Sequence, residues 1–369
     1  MSDNVTKVGL VGCGNISDVY LKNAAALAAI EIVACADIIL ERAAAKAAEF
    51  GVPGFGTVDA LMEDDGIEII LNLTTPAAHS DIALAALAHG KSVYNEKPLA
   101  TTRAAGRRIL DDAKKSDLHV GCAPDTFLGG AWQTARKLID DGAIGAPVAA
   151  TAFMTYHGPE SWHPDPAFFY KEGAGPMFDM GPYYLTALIN LLGPVARVSG
   201  SARVSFPQRT VTSEPKRGQI IEVETPTHVV GILDFAAGPV ATILTSFDIW
   251  HANLPCLEIY GSRGSMSLPD PNGYGGVIRL RAAKDDAWRE ITPSFGYTGN
   301  ERGLGVADMA SAARSGRPHR ANGELAMHVL DIMHAIHDSS RDGRRASLTT
   351  TCTRPAPLPP NLSPNTIDA

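Results

Sequence analysis

Cysteine is scarce: five residues, Cys13, Cys35, Cys122, Cys256 and Cys352, odd in number, far apart and with no CxxC pair. Such a set argues against a disulfide framework and against a zinc knot, and no metal site is expected. Long apolar runs are missing too. Nothing approaches the ~20 consecutive apolar residues of a membrane-spanning helix, so no membrane partner is expected. Met1-Ser2-Asp3-Asn4 has no basic segment leading into an apolar one, as a secretory signal would. A cytoplasmic, reducing setting is the expectation. Basic charge is in deficit, with 32 Lys plus Arg against 40 Asp plus Glu and a net charge of -8. An acidic chain matches phosphate backbones poorly, so no nucleic-acid partner is expected. What the sequence does have is 369 residues, 45% of them hydrophobic, enough for about two domains with separate cores.

A short apolar strand over 7–11 ends in glycines and precedes an alanine-rich helix. A second strand over 31–36 stops at Asp37. The Ala-, Glu-, Lys- and Arg-rich segment 40–50 ends at Gly51, which suits a helix with a glycine just past its end. Residues 67–73 are aliphatic and β-branched, as buried parallel strands are. Strands over 92–95 and 118–123 follow, with helical segments between. That alternation implies parallel pairing with right-handed crossovers. The fold class is therefore α/β, with a doubly wound parallel sheet over 1–123. From 124 to 352 the strands are longer and alternate (148–156, 195–204, 227–235, 240–250, 256–260, 276–281), with helices over 180–192, 303–314 and 323–339. Short turns such as Ala236-Ala237-Gly238-Pro239 predict a mostly antiparallel second sheet. The proline-rich segment 353–369 reads as a tail extended over the surface.

Gly12-Cys13-Gly14-Asn15-Ile16-Ser17 joins the first strand to the first helix. Gly12 permits the tight turn and Gly14 lets the backbone approach a pyrophosphate. The helix start at Asn15-Ile16 supplies free N–H groups and positive potential. Ser17 replaces the usual third glycine. Asp37, at the end of the second strand, is placed to accept from both hydroxyls of an adenosine ribose, or else is a turn residue. Ile38, Ile39 and Leu40 after it include no Arg for a 2′-phosphate, so NAD is expected over NADP.

Tyr94-Asn95-Glu96-Lys97-Pro98-Leu99-Ala100 ends the fourth strand. This segment resembles the EKP signature of the Gfo/Idh/MocA family of oxidoreductases. Thr74-Thr75-Pro76 with His79, His89-Gly90-Lys91-Ser92-Val93, and the segment from Gly175 through Asp179 to Tyr184 are similar in the same order. The resemblance spans nearly the whole chain. It implies an N-terminal Rossmann domain, a C-terminal α/β domain with a large open sheet, and NAD(P)-dependent oxidation or reduction of sugars and polyols. It also implies cofactor contacts at Thr74, Pro76, His79, Glu96 and Lys97. Association into a homodimer or homotetramer through the C-terminal sheet is expected, with the strands over 227–235 and 240–250 supplying the face.

Lys97 follows a strand's carboxyl end, where open α/β sheets bind ligands; its ammonium can polarise a substrate oxygen and lower the pKa of a neighbouring acid. Asp179 suits a helix N-cap, with Pro182 in the first turn, and Tyr183 then faces the same way. Relatives commonly carry His where Tyr183 stands. We expect Lys97 and Tyr183 to share the proton work while Asp179 orients the substrate or tunes Lys97. Bringing Tyr183 near neutrality would take about 4 kcal/mol of differential stabilisation. The loop with His157, Trp162 and His163 suits sugar recognition, or is structural. Asp125, Thr126 and His251 are further candidates for the same cleft. The leading reading is an NAD-dependent dehydrogenase of a carbohydrate. One alternative is a redox-neutral glycosidase that oxidises, eliminates, hydrates and reduces; another is a dinucleotide-sensing regulator without turnover.

Overall fold

The computed structural model describes residues 5–368. The chain begins β1 (Thr6–Val11), α1 (Ser17–Ala24), β2 (Ile30–Ala36), α2 (Leu40–Phe50), β3 (Gly54–Gly56) and α3 (Val58–Glu63). It continues β4 (Ile69–Asn72), α4 (His79–Ala88), β5 (Ser92–Asn95), α5 (Arg103–Lys115) and β6 (Val120–Cys122). These strands form one parallel sheet in the order β3-β2-β1-β4-β5-β6. Every residue of β4, β5 and β6 is buried, because helices cover both faces of such a sheet. The strand order turns back between β1 and β4, which opens a crevice at their carboxyl ends. Gly12 lies there with φ +100, and a Cβ on it would meet the Leu73 backbone at 2.7 Å. Only glycine lets the two loops approach so closely. The sequence reading anticipated five of these strands; β3 has three residues and no pattern to detect.

The second part runs α6 (Gly130–Asp140), β7 (Pro147–Thr155), α7 (Pro176–Asp179), α8 (Gly181–Leu192), β8 (Val195–Arg203), β9 (Gln208–Thr210) and β10 (Ile220–Glu222). Then come β11 (His228–Phe235), β12 (Val240–Ser246), β13 (Leu257–Gly261), β14 (Gly264–Leu268), β15 (Ile278–Ala282) and β16 (Arg289–Ile291). It closes with α9 (Leu304–Ser315), α10 (Gly323–Asp342) and β17 (Ala346–Ser347). A nine-stranded sheet has the order β16-β15-β14-β13-β7-β12-β11-β8-β17, and only β7 and β12 pair in parallel. One face carries α8 and α10. Every residue of α8 is buried, as an all-round apolar helix requires. α10 approaches β8 so closely that a Cβ on Gly200 would run into the Ile336 carbonyl.

Two features differ from a simple tandem. Residues just before α10 return to the first sheet, where the Cys122 amide donates to the Ala321 carbonyl at 3.0 Å. The C-terminal tail is extended but anchored. Leu358 and Ile367 are buried, Leu358 N donates to Gln133 Oε1 at 2.8 Å, and Arg317 Nη2 reaches Asp368 at 2.7 Å.

Candidate active site

At the crevice, the Gly12 and Cys13 amides are used internally, by the Ala36 carbonyl at 2.8 Å and Asp37 Oδ2 at 2.9 Å. The amides of Gly14, Asn15 and Ile16 donate to no acceptor among the described residues. A Cβ on Gly14 would touch nothing within 4 Å. Open space facing three free N–H groups at a helix start fits a pyrophosphate. Asp37 also accepts from the Ile39 amide at 2.9 Å, so it ties the glycine loop to the end of β2. The structure adds a neighbour that the local sequence did not flag. Arg42, on the first turn of α2, brings Nη1 to 3.5 Å from Asp37 Oδ1, and its side chain is 47% exposed.

Buried amides tie the next two loops together. Asn72 Nδ2 donates to Asn95 Oδ1 at 3.0 Å, and Asn95 Nδ2 to the Leu99 carbonyl at 3.0 Å. Thr74 Oγ1 donates to Asn72 Oδ1 at 2.7 Å. Pro76 opens a short 3-10 turn leading into α4. His79 corrects an expectation. It is fully buried, with Nδ1 2.7 Å from the Pro98 carbonyl and Nε2 3.0 Å from the Thr74 carbonyl. Both ring nitrogens are turned to backbone carbonyls inside the protein, so His79 joins the two loops and presents no polar atom to the crevice. Glu96 is buried likewise, accepting from Tyr20 Oη at 2.8 Å and the Lys97 amide at 2.9 Å.

Lys97 Nζ donates to Asp179 Oδ1 and to the Asp179 carbonyl, each at 2.8 Å. An ammonium has three N–H bonds, so one remains for a ligand. The same nitrogen lies 5.3 Å from the centroid of the Tyr183 ring, within cation–π range. Burial disfavours the charge on Lys97, but the Asp179 carboxylate, with Glu96 behind it, outweighs it and holds the amine above the ordinary lysine range. Tyr183 moves the other way from expectation. Burial pushes its phenol up, and the Lys97 and Arg302 cations offset only part of that. The phenol is thus a neutral group, not a ready base. Nor is Asp179 an N-cap. It ends α7, and Met180 joins that turn to α8, leaving the carboxylate free for Lys97.

Asp125 and Thr126 are buried beneath this floor instead of lining it. Asp125 accepts from Tyr274 Oη and from the Gly303 and Gly305 amides, the latter two at 3.1 and 2.8 Å, which commits both its oxygens to internal partners. The loop after β7 forms an aromatic wall. His157 stacks on Trp250 with centroids 3.5 Å apart, while His251 is exposed. His163 and Trp162 pack edge-on, with Phe169 against both; Trp162 is 59% exposed. Below it, buried Arg209 pairs with Glu160 at 2.5 Å and Asp248 at 3.0 Å. Two residues that sequence reasoning missed join the site. Tyr156, at the end of β7, has its phenol pushed up by burial and by the charge of Asp179. Arg302 brings Nη2 to 3.5 Å from Tyr183 Oη. A polar residue ending an apolar strand could have flagged Asn72 and Asn95; nothing local marks Arg302.

Comparison with known proteins gives the same two parts. Residues 6–123 match the model described as oxidoreductase family, NAD-binding Rossmann fold. Residues 132–267 match the GFO/IDH/MocA C-terminal domain. A 1,5-anhydro-D-fructose reductase of Ensifer adhaerens is 30% identical over 93% of this chain and 98% of its own. An inositol 2-dehydrogenase of Salmonella typhimurium is 30% identical over 38% of this chain and 44% of its own. Among solved structures, a levoglucosan dehydrogenase in complex with NADH and levoglucosan superposes with a TM-score of 0.81. It is 21% identical, over 94% of this chain and all of that one.

Proposed function

The chain belongs to the GFO/IDH/MocA family of oxidoreductases with an NAD-binding Rossmann domain, and from that premise we propose that it is an NAD-dependent dehydrogenase of a sugar, polyol or sugar derivative. The observation that carries this reading is the Lys97 ammonium, oriented by two hydrogen bonds to Asp179 and left with one free N–H. Asp179 and Tyr183 complete the catalytic set, and Trp162, His163 and His157 form a wall suited to the apolar faces of a sugar. Bound NAD supplies the hydride acceptor. The amides of Gly14, Asn15 and Ile16 hold its pyrophosphate on the turn that Gly12 permits, with Thr74, Pro76 and Lys97 on the nicotinamide side. Asp37 takes the ribose hydroxyls. Its carboxylate would repel a 2′-phosphate, which favours NAD over NADP even with Arg42 alongside.

In the oxidising direction the hydroxyl of the substrate hydrogen-bonds to Lys97, which must first be neutral to take its proton. In the reducing direction the ammonium is already charged and donates to the carbonyl oxygen. Tyr183, as a neutral phenol, positions that oxygen by a hydrogen bond. The same neutral phenol could donate to a leaving glycosidic oxygen, which keeps the redox-neutral glycosidase as a second reading. A panel of free sugars, polyols and aryl glycosides, each with NAD and with NADP, separates them. We expect NADH to form with a free sugar and more slowly with NADP. Aglycone release without NADH would select the glycosidase instead. Cofactor binding with no turnover of any kind would overturn both.

We also propose a homodimer or homotetramer through the uncovered face of the large sheet. Val230, Leu244 and Phe153 lie side by side across β11, β12 and β7, and Ile232 beside them is 46% exposed. Light scattering at micromolar concentration should give at least twice the monomer mass, and Ile232→Glu should lower it. A monomeric wild-type protein would refute the assembly.

A further inference from the structure

Arg302 is held in place from three sides. Asn23 Nδ2, from α1, donates to the carbonyls of Asn300 and Arg302 at 2.7 and 2.9 Å. The following amides, of Gly303 and Gly305, are bound by Asp125. The guanidinium itself is braced by neutral amide oxygens, with Nη1 2.7 Å from Asn300 Oδ1 and Nη2 2.7 Å from Asn272 Oδ1. Yet among the described residues no carboxylate lies within 4.0 Å of it. The fully buried arginines elsewhere each meet an acid. Arg136 pairs with Asp140 at 2.6 Å, Arg209 with two acids, and Arg320 with Asp308. The carboxylates nearest the floor, Glu96 and Asp125, are committed to Tyr20, Tyr274 and backbone amides. Arg302 is half-buried, with the Asp125 charge near enough to feel it but no carboxylate paired with it; a guanidinium so placed can take an anion, and its planar fork suits carboxylate or phosphate oxygens.

We propose that Arg302 receives an anionic oxygen group carried by the substrate, a carboxylate or a phosphate, so that the preferred substrate is an acidic sugar derivative and not a neutral polyol. This rests on the dehydrogenase reading above. The position favours the substrate over the cofactor as the source of the anion. Free amides for the cofactor's phosphates are at Gly14, Asn15 and Ile16, at the start of α1. Arg302 instead meets the hydroxyl of Tyr183, whose ring faces Lys97. Lys97 Nζ lies 5.3 Å from the centre of the Tyr183 ring and Arg302 Nη2 3.5 Å from its hydroxyl, so the two cations flank one side chain. Lys97 would address the reacting oxygen and Arg302 the acidic substituent.

The test is calorimetric binding to the NADH-loaded protein with matched probes: D-glucuronate, D-galacturonate, D-gluconate and D-glucose 6-phosphate against D-glucose and D-sorbitol. At least one acidic probe should bind ten- to a hundredfold tighter than its neutral match, the size of one charge-assisted hydrogen-bonded contact. Arg302→Gln should abolish that preference and Arg302→Lys restore part of it, with NADH affinity unchanged. The proposal is overturned if no acidic probe is preferred, or if the preference survives Arg302→Gln. It is also overturned if Arg302→Gln weakens NADH binding, which would assign the guanidinium to a cofactor phosphate. Arg302-dependent binding of an acidic probe, with no NADH formed from any of the six when NAD is supplied in a parallel assay, would leave this inference standing and remove the dehydrogenase reading.

Discussion

Lys97→Met is expected to lower kcat/KM by about 10²- to 10⁴-fold, the range that a positioned proton donor contributes, in both reaction directions. The methionine keeps most of the apolar stem but removes all three N–H bonds, including the one left over from Asp179. NADH affinity should change little, because the amides of Gly14, Asn15 and Ile16 and the Asp37 carboxylate are untouched. The substitution also strands Asp179, whose side chain is only 20% exposed, so some loss of stability accompanies it. Lys97→Arg separates the two effects. It restores a cation for Asp179 but places a planar fork where a single rotating ammonium is required, so thermal stability should recover while turnover does not. Steady-state kinetics in both directions, NADH fluorescence titration and a melting curve for the two variants make the comparison. Turnover of Lys97→Met within threefold of wild type would remove Lys97 from the chemistry.

The parts of this site that could be read in the sequence are those set by local pattern. Strands such as β4 bury both faces and therefore appear as unbroken apolar runs. The glycine loop is legible because a tight turn at φ +100 admits no other residue. Lys97 is legible because it follows a strand end and precedes a proline. Its relation to Asp179, 82 residues away, was legible only as a resemblance, and the cap assigned to Asp179 was wrong for a local reason. Gly175 and Pro176 begin a helical turn earlier than the Gly181-Pro182 signal suggested. The charge state of Tyr183 depends on the balance between burial and two cations, and a spacing rule contains neither. Arg302 lies 119 residues from Tyr183. It reaches the site only because Asn23 and Asp125, from two other stretches of chain, clamp its loop.

That charge balance makes Asp179 the most informative position after Lys97. In the wild type, oxidation requires the neutral amine, while Asp179 holds Lys97 above the ordinary lysine range. The logarithm of kcat/KM for oxidation should therefore climb with a slope of one across the alkaline range without a plateau. Reduction, which uses the ammonium, should stay flat over the same interval. Asp179→Asn removes the nearest counter-charge but leaves the burial that disfavours the ammonium. Lys97 then titrates lower than in the wild type. The oxidation profile should bend towards a plateau at lower pH than in the wild type, and reduction should begin to fall at the same pH. Asparagine can still accept from Lys97, but the carboxylate that fixes the ammonium's direction is gone, and a drop of about 10²-fold in reduction at neutral pH is expected. Asp179→Glu, which keeps the charge on a longer stem, should return the profile towards that of wild type with only part of the rate. A merely structural Asp179 would lower rates at every pH in equal proportion. Superimposable pH profiles for wild type and Asp179→Asn would show that the titrating group is not the Lys97 amine.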